Sequence, residues 1–136
     1  MRCPLCKAGQ LRRWEGPLDR IGVALVGRGT HCDSCDETFF THEEVGRQDV
    51  CIAAALVERG IQTGKEFRRV RNAADLRSNE IAALLDVTPE TVSRWEKGKL
   101  PIPKLAAFAL GELYLHPKVT RRRLAALSPA SGPARP

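Results

Sequence analysis

The sequence has few aromatic residues and no long hydrophobic run. Phenylalanine, tryptophan and tyrosine make up 5% of the 136 residues, and no apolar run approaches the roughly 18–20 residues of a membrane-spanning helix. The start, Met1-Arg2-Cys3, leaves no space for a signal peptide before the first cysteine, so we expect a cytoplasmic protein. The chain also lacks a glycine-rich phosphate loop and a recognisable pair of nucleophile and base. We therefore expect neither a membrane protein nor an enzyme.

Positive charge is concentrated in the second half of the chain. Residues 1–60 carry 8 Lys and Arg against 9 Asp and Glu, a net charge of −1. Residues 61–136 carry 14 against 7, a net charge of +7. This asymmetry indicates nucleic acid as the partner of the basic half and a different partner for the other. The alternative for the basic half is a solvated surface that binds nothing.

Four of the five cysteines form two pairs, Cys3-Pro4-Leu5-Cys6 and Cys32-Asp33-Ser34-Cys35. Two intervening residues let both sulfurs of a pair face one ion, and two pairs complete a tetrahedral shell suited to zinc or an iron site. Two disulfides or a redox-active dithiol are the alternatives. Four thiolates would leave zinc no open position for a catalytic water. The spacing predicts one structural zinc ion per chain, with Zn–S bonds of ~2.3 Å, bound by Cys3, Cys6, Cys32 and Cys35.

The order of these patterns predicts an α+β fold with two small domains. We expect residues 1–60 to form a zinc-binding β-hairpin domain with a linking helix. Residues 61–127 should form an all-α domain. Residues 128–136 are rich in Pro, Ala, Gly and Ser and should form a disordered tail.

In the first domain, strands are predicted over residues 11–14 and 21–26, around a turn-rich stretch at residues 15–19. Thr41 can cap the linking helix, with Glu44 as the return half of a capping box. A core of this size cannot hold itself together without the metal.

The second domain is predicted to be a run of short helices. Apolar residues at helical spacing mark helices around Phe67, around Ile81 and over Thr88–Gly98. A short basic helix over residues 118–127 ends the domain. Before it lies a fourth predicted helix, marked by the apolar residues Leu105, Phe108, Leu113 and Leu115.

Residues 65–115 resemble the helix-turn-helix domains of phage-repressor (Xre-like) type. The matching segments are Phe67-Arg68-Arg69-Val70-Arg71, Glu80-Ile81-Ala82-Ala83-Leu84-Leu85 and Val87-Thr88-Pro89-Glu90-Thr91-Val92-Ser93-Arg94-Trp95-Glu96-Lys97-Gly98-Lys99. The resemblance implies that the helix from Thr88 enters a DNA major groove and brings its N-terminal groups to base edges. It also implies a structural ion pair between Arg71 and Glu96.

The predicted DNA contacts lie on this helix and at the start of the helix before it. Arg94 is the strongest candidate for reading a base, because its guanidinium can meet O6 and N7 of guanine together. A phosphate contact or a solvated side chain is the alternative. Glu90, Pro89 and Ser78 depart from the family pattern, so the operator should differ from those of relatives. The predicted set is Ser78, Asn79, Thr88, Pro89, Glu90, Thr91, Arg94, Lys97 and Lys99, with the two lysines on phosphates.

The order of parts resembles the MqsA family of antitoxins and the wider YgiT-type zinc-finger regulators. The segments that carry this resemblance are Cys3-Pro4-Leu5-Cys6, Cys35-Asp36-Glu37 followed by Glu43-Glu44, and Arg94-Trp95-Glu96-Lys97-Gly98. The resemblance covers nearly the whole chain except the tail. It implies a zinc domain that neutralises a toxin, often an RNA-cleaving one, and a C-terminal domain that dimerises and represses the operon.

We therefore expect a zinc-containing transcriptional repressor that binds a double-stranded operator as a homodimer. In this interpretation it is the antitoxin of a type II toxin–antitoxin pair, and its partner is a cognate toxin. The alternative is an orphan regulator with the same two domains and no toxin.

Overall fold

The computed structural model describes residues 1–127, and within that range an antiparallel three-stranded sheet is followed by six helices. The predicted α+β fold is thereby confirmed. The predicted disordered tail at residues 128–136 lies outside the described residues. No helix in the described part of the chain is long and apolar enough to cross a membrane. The elements are β1 (Leu11–Arg20), β2 (Val23–Cys32), β3 (Thr38–Phe39), α1 (His42–Arg59), α2 (Gly64–Ala73), α3 (Ser78–Leu85), α4 (Pro89–Glu96), α5 (Lys104–Leu115) and α6 (Pro117–Leu127).

The chain divides into two compact units, Met1–Ala54 and Ala55–Pro136, which we call the cysteine unit and the helical unit. The division lies inside α1, whereas the sequence placed the boundary after residue 60. The end of α1 belongs to the helical unit because Val57 packs beside Gly111 of α5. A Cβ added to that glycine would lie 3.3 Å from the Val57 Cγ1.

The turn of the β1–β2 hairpin is not where the sequence placed it. Residues 15–19 continue β1, and the chain reverses at Ile21 and Gly22. Both residues have positive φ, 54° and 77°, as a two-residue type I′ turn requires. The Gly22 N–H donates a hydrogen bond to Asp19 Oδ1 at 3.2 Å. The predicted turn at residues 15–19 is therefore wrong.

Glycine and proline at residues 16 and 17 suggested a turn, but both fit a strand here. Pro17 lies in β1, which is an edge strand of the sheet, and an edge strand tolerates proline because one side of its backbone needs no partner. Gly16 pairs with Gly27 of β2. A Cβ on Gly27 would lie 2.4 Å from Leu18 Cδ1, so this glycine leaves room for the leucine side chain.

Helix α1 is held to β2 by a buried polar cluster around Glu44. The Glu44 carboxylate accepts hydrogen bonds from the Arg28 backbone N–H and from Gln48 Nε2, both at 2.9 Å. Arg47 forms a two-point ion pair with the same carboxylate at 2.7 and 2.8 Å. The Arg47 guanidinium also donates to the Val26 carbonyl. The hydrogen bonds from Arg47 and Gln48 hold the pKa of Glu44 well below its usual range.

Of the two hydrogen bonds of the capping box predicted at the start of α1, one is present. Thr41 Oγ1 accepts a hydrogen bond from the Glu44 N–H at 3.1 Å. The Glu44 carboxylate does not return to the Thr41 N–H, because it binds the Arg28 N–H of β2 instead.

The helical unit has an apolar core, to which α5 contributes one face. Of the four apolar residues that marked this helix in the sequence, Leu113 is buried, whereas Leu105, Phe108 and Leu115 are exposed. The helix instead buries Ala106, Leu110, Gly111 and Leu113. Helix α5 is therefore apolar on two sides, and the sequence pattern that marks the helix does not distinguish the buried side from the exposed one.

Candidate metal centre and nucleic-acid interface

The four paired cysteines converge at one end of the hairpin. One Sγ atom from each residue lies within 4.8 Å of the other three. Two separations that cross between the pairs are 3.8 Å, between the sulfurs of Cys3 and Cys35, and 3.6 Å, between those of Cys6 and Cys32. A tetrahedral zinc site with Zn–S bonds of about 2.3 Å places its sulfurs about 3.8 Å apart. The cluster can therefore hold one ion, and its geometry fits zinc.

Both cysteine pairs sit in turns of the same backbone geometry. Lys7 and Asp36, each four residues after the first cysteine of its pair, have positive φ of 61° and 60°. The Cys3 N–H donates to the Gly9 carbonyl and the Cys32 N–H to the Glu37 carbonyl, both at 2.9 Å. These bonds close each turn behind its sulfurs.

Glycine is required at position 9 because the first turn lies directly on the second. A Cβ on Gly9 would lie 2.4 Å from Cys32 Sγ and 2.7 Å from Ser34 Cβ. Such contacts are shorter than any real Cβ makes, so a larger residue would displace the sulfur. The Ser34 N–H also donates to Cys32 Sγ at 3.3 Å.

The thiols of the cluster have unequal affinities for protons. Backbone N–H groups of Ala8 and Gly9 lower the pKa of Cys6 to about 6, and the N–H of Cys6 lowers the pKa of Cys3. The Glu37 N–H lowers the pKa of Cys35, but burial and the three neighbouring sulfurs outweigh it and raise that pKa to about 12. Four thiolates repel one another at this distance, and a divalent cation offsets that repulsion.

His31 precedes Cys32 but does not join the cluster. Its Nδ1 lies 2.9 Å from Thr38 Oγ1 and its Nε2 lies 3.3 Å from Asp36 Oδ1. Both ring nitrogens thus have partners that orient the ring beside the second cysteine turn.

In the helical unit, α3 and α4 form a helix-turn-helix arrangement. Asp86 ends α3 in the left-handed conformation, with φ 59°. Thr88 then caps α4, its Oγ1 accepting from the Thr91 N–H at 3.2 Å, and Pro89 takes the first helical position. Val92 and Trp95 are buried, and the Trp95 ring meets Phe67 edge to face at 5.8 Å.

Two contacts hold α4 against α2. Arg71 and Glu96 form a two-point ion pair, with Nε–Oε2 at 2.6 Å and Nη2–Oε1 at 3.0 Å. Arg71 Nη1 also donates to the Leu76 carbonyl at 2.9 Å, so one guanidinium links α2, α4 and the turn before α3. Gly64 lies against the end of α4, where a Cβ would be 2.4 Å from the carbonyl oxygens of Trp95 and Glu96.

The opposite side of α4 is open to solvent. Glu90, Arg94 and Lys97 are exposed on it, and Arg94 makes no side-chain hydrogen bond or ion pair with any described residue. Two residues missed by the sequence reasoning lie near the predicted set. Ser93 is half-buried on the same side of α4, and Arg77 is exposed just before α3. The sequence signal for Ser93 was its position three residues after Glu90, which places both on one helix face. The signal for Arg77 was its positive charge next to Ser78.

The remaining predicted contacts divide between the two helix N-termini. Asn79 is exposed and Ser78 half-buried at the start of α3. Thr88 and Pro89 are exposed, and Thr91 half-buried, at the start of α4. Lys99 is exposed beyond its end. Exposure makes all of these side chains available to a ligand, and none of them is needed for the apolar core.

The two short helices α3 and α4, the tight turn between them and the open face of α4 indicate a helix-turn-helix DNA-binding regulator. Residues 62–127, just under half of the chain, match the family model of the helix-turn-helix domain. No curated protein matches the sequence. Together with the four-cysteine cluster, the match fits a regulator that combines a zinc finger with a helix-turn-helix domain. The resemblance to MqsA-type antitoxins and YgiT-type regulators stays a prediction.

Proposed function

We propose that this protein is a zinc-bearing repressor that acts in the cytoplasm as a homodimer on a double-stranded operator. The observation that carries the proposal is α4, which is fixed on one side by the Arg71–Glu96 pair and on the other presents Arg94, which has no partner among residues 1–127. A cationic side chain on a rigid, solvent-facing helix suits recognition of a groove edge. The net charge of +7 over residues 61–136 favours the DNA backbone.

Each residue of the proposed interface has a separate role. Arg94 reads a guanine through O6 and N7, and Lys97 and Lys99 contact phosphates. Glu90 repels phosphate but can accept a hydrogen bond from cytosine N4. Ser78, Asn79, Thr88, Pro89 and Thr91 bring short side chains or helix N-termini toward the DNA.

The metal has a structural role in this proposal. One zinc ion, held by Cys3, Cys6, Cys32 and Cys35, joins the two cysteine turns and fixes the end of the hairpin. All four positions are then occupied by protein sulfur, which leaves none for water or substrate.

We further propose that the protein is the antitoxin of a type II pair and that the cysteine unit binds the toxin. The resemblance to MqsA-type antitoxins supports this, as do the apolar side chains that the unit leaves exposed, namely Met1, Leu5, Val26 and Val50. Residues 1–60 carry a net charge of −1, and four zinc-bound thiolates would make it more negative. A toxin with a basic active cleft is the complement, and its association should slow as salt rises.

A co-expression experiment tests both activities in the full chain. Wild-type protein should restore growth when the product of the neighbouring reading frame is expressed, and should co-purify with it. Arg94→Ala should restore growth equally, because that change affects only the operator, whereas Cys32→Ser should fail. Loss of rescue in Arg94→Ala would mean that protection acts through transcription. Absence of both rescue and co-purification would favour the orphan regulator.

A further inference from the structure

The solvent-facing side of α5 carries apolar side chains that residues 1–127 of one copy leave uncovered. Leu105, Phe108 and Leu115 are 78%, 65% and 51% exposed. The same helix already buries Leu110 and Leu113 in the core of the helical unit, so α5 is apolar on two opposite sides. Large apolar side chains grouped on one exposed helix face mark an interaction surface.

A groove of about 610 Å³ lies along this face. Gly111, which has no side chain, and Phe108 both line the groove. The groove can therefore accept an apolar group, and Phe108 is a group of that kind on the same surface. Its other apolar lining comes from Val57, Ile61, Ile102, Ala107 and Leu115.

Two opposite charges line the groove symmetrically about Phe108. Lys104 lies four residues before Phe108 and Glu112 four residues after it. Four residues are about one helical turn, so both charges share the face of Phe108. Neither side chain forms an ion pair within residues 1–127.

This spacing is self-complementary under a two-fold axis. When two α5 helices cross antiparallel at Phe108, Lys104 of each copy comes opposite Glu112 of the other. An isologous dimer contact requires such a pattern, in which one patch complements itself. A parallel crossing would place like charges together.

We propose that this face of α5 is the surface through which two copies of the chain pair, with Phe108 of each copy entering the groove of the other. The inference rests on the homodimer of the proposed function and names the surface that forms it. The core of the contact is apolar and its ends carry the two Lys104–Glu112 pairs, as is usual for protein interfaces.

Charge reversal in the full-length, zinc-loaded protein tests the antiparallel pairing by sedimentation equilibrium. Lys104→Glu and Glu112→Lys should each raise the dimer dissociation constant by about tenfold, because each change creates two like-charge contacts. The double variant K104E/E112K should return to within about threefold of wild type, because both pairs form again with the signs exchanged. Unchanged dimerisation in the single variants, or further weakening in the double variant, would overturn the pairing.

Phe108→Asp tests the apolar core of the contact and should raise the dissociation constant at least about 100-fold. Because Phe108 is exposed, the Phe108→Asp monomer should have the same melting temperature as the wild-type monomer. Leu127→Asp, a change at an exposed leucine of α6, is the matched control and should leave the dimer intact. A dimer that persists in Phe108→Asp, or a wild-type protein that stays monomeric at about 100 µM, would overturn the inference.

DNA binding separates this inference from the proposed function. Phe108→Asp should still bind a single half-site and lose tight binding to the palindrome. If the wild-type protein selects an operator but no α5 variant changes the dimer dissociation constant, the inference fails and the DNA-binding function stands. If the α5 variants dissociate as expected but no sequence is selected, the dimer surface stands and the operator function fails.

Discussion

The cysteine unit and the helical unit bury different kinds of side chain. The cysteine unit buries few large apolar residues, and its interior includes two sulfur ligands and the polar Glu44 and Gln48. The helical unit buries a continuous apolar set that includes Phe67, Ile81 and Trp95. Burial of such side chains contributes about 1.5–3 kcal/mol each. We therefore expect the helical unit to fold on its apolar core and the cysteine unit to need a metal ion and its polar network.

Removing the metal should have the largest effect, and it should unfold one unit and not the other. Structural zinc contributes about 10–16 kcal/mol to the folding of small zinc domains, so a chelator should melt residues 1–40 and leave the helical unit folded. Two-dimensional ¹H–¹⁵N NMR measures this, because amide signals of the hairpin should collapse while those of α2–α5 keep their positions. Re-addition of zinc is the control. Less than about half an equivalent of metal in protein purified without chelator would contradict the prediction.

In the helical unit, the largest effect should come from separating Arg71 and Glu96, whose side chains are only 12% and 10% exposed. Arg71→Ala leaves the carboxylate buried without its partner, which should cost about 3–5 kcal/mol. Arg68→Ala, on the exposed side of the same helix, should change stability by less than about 0.5 kcal/mol. Urea denaturation followed by Trp95 fluorescence gives both values.

The double change Arg71→Met with Glu96→Leu tests whether the unpaired carboxylate causes the loss of stability. It removes both charges and should recover most of the lost stability. If it is as unstable as Arg71→Ala, the loss comes from packing and not from the unpaired carboxylate.

A smaller effect is expected on the DNA face of the helical unit, and it should leave folding unchanged. Arg94→Ala should weaken operator binding by about 1–3 kcal/mol and relax the preference at one base. Lys97→Ala should weaken all sequences alike and reduce the salt dependence of binding. Fluorescence anisotropy against operator and random DNA distinguishes the two roles. An equal loss on both DNAs for Arg94→Ala would exclude base reading.

The smallest effect concerns the polar cluster of the cysteine unit, and it depends on pH. The folded state lowers the pKa of Glu44 through Arg47 and Gln48. Its stabilisation is therefore fully present above the unfolded pKa of about 4.3 and is lost as the pH falls toward the folded value. Glu44→Gln should melt below wild type at pH 7, and the gap should narrow below about pH 4.

Glu43→Gln is the control for that measurement, because Glu43 is the exposed neighbour in the same helical turn. All three proteins should be melted at each pH with the same excess of zinc, so that release of the metal at low pH affects them equally. A gap between Glu44→Gln and wild type that does not change with pH would show that the carboxylate contributes through packing alone.

The parts that could be predicted from sequence are those in which a local pattern has one structural solution. Two CxxC pairs can bind one ion only if the chain brings them together. Thr88-Pro89 followed by apolar residues at helical spacing is typical of the start of a helix. The hairpin turn could not be predicted, since Pro17 is acceptable in an edge strand and the topology that makes β1 an edge is not local. Ile21, a β-branched residue with positive φ, gave no sign of a turn.

The exposed face of α5 was missed for a different reason. Periodicity identifies an apolar stripe but does not say whether the stripe meets the same chain or another molecule. Leu105, Phe108 and Leu115 satisfied the pattern as well as Leu110 and Leu113 did. The polar cluster was missed because Glu44 was assigned to a cap, and its true partner, the Arg28 N–H, is 16 residues away in the chain.

Different residues of α4 pack in the core and face the solvent, which has a consequence for how such regulators diversify. Val92 and Trp95 carry its packing, whereas Glu90, Arg94 and Lys97 carry none. Exposed substitutions of this kind change stability by less than about 0.5 kcal/mol. If these exposed residues read the operator as proposed, one copy of a duplicated gene can acquire a new operator through a few surface codons while selection on its fold stays unchanged. Families built on this helix should show rapid turnover at those positions and slow turnover at Gly64, Arg71 and Glu96.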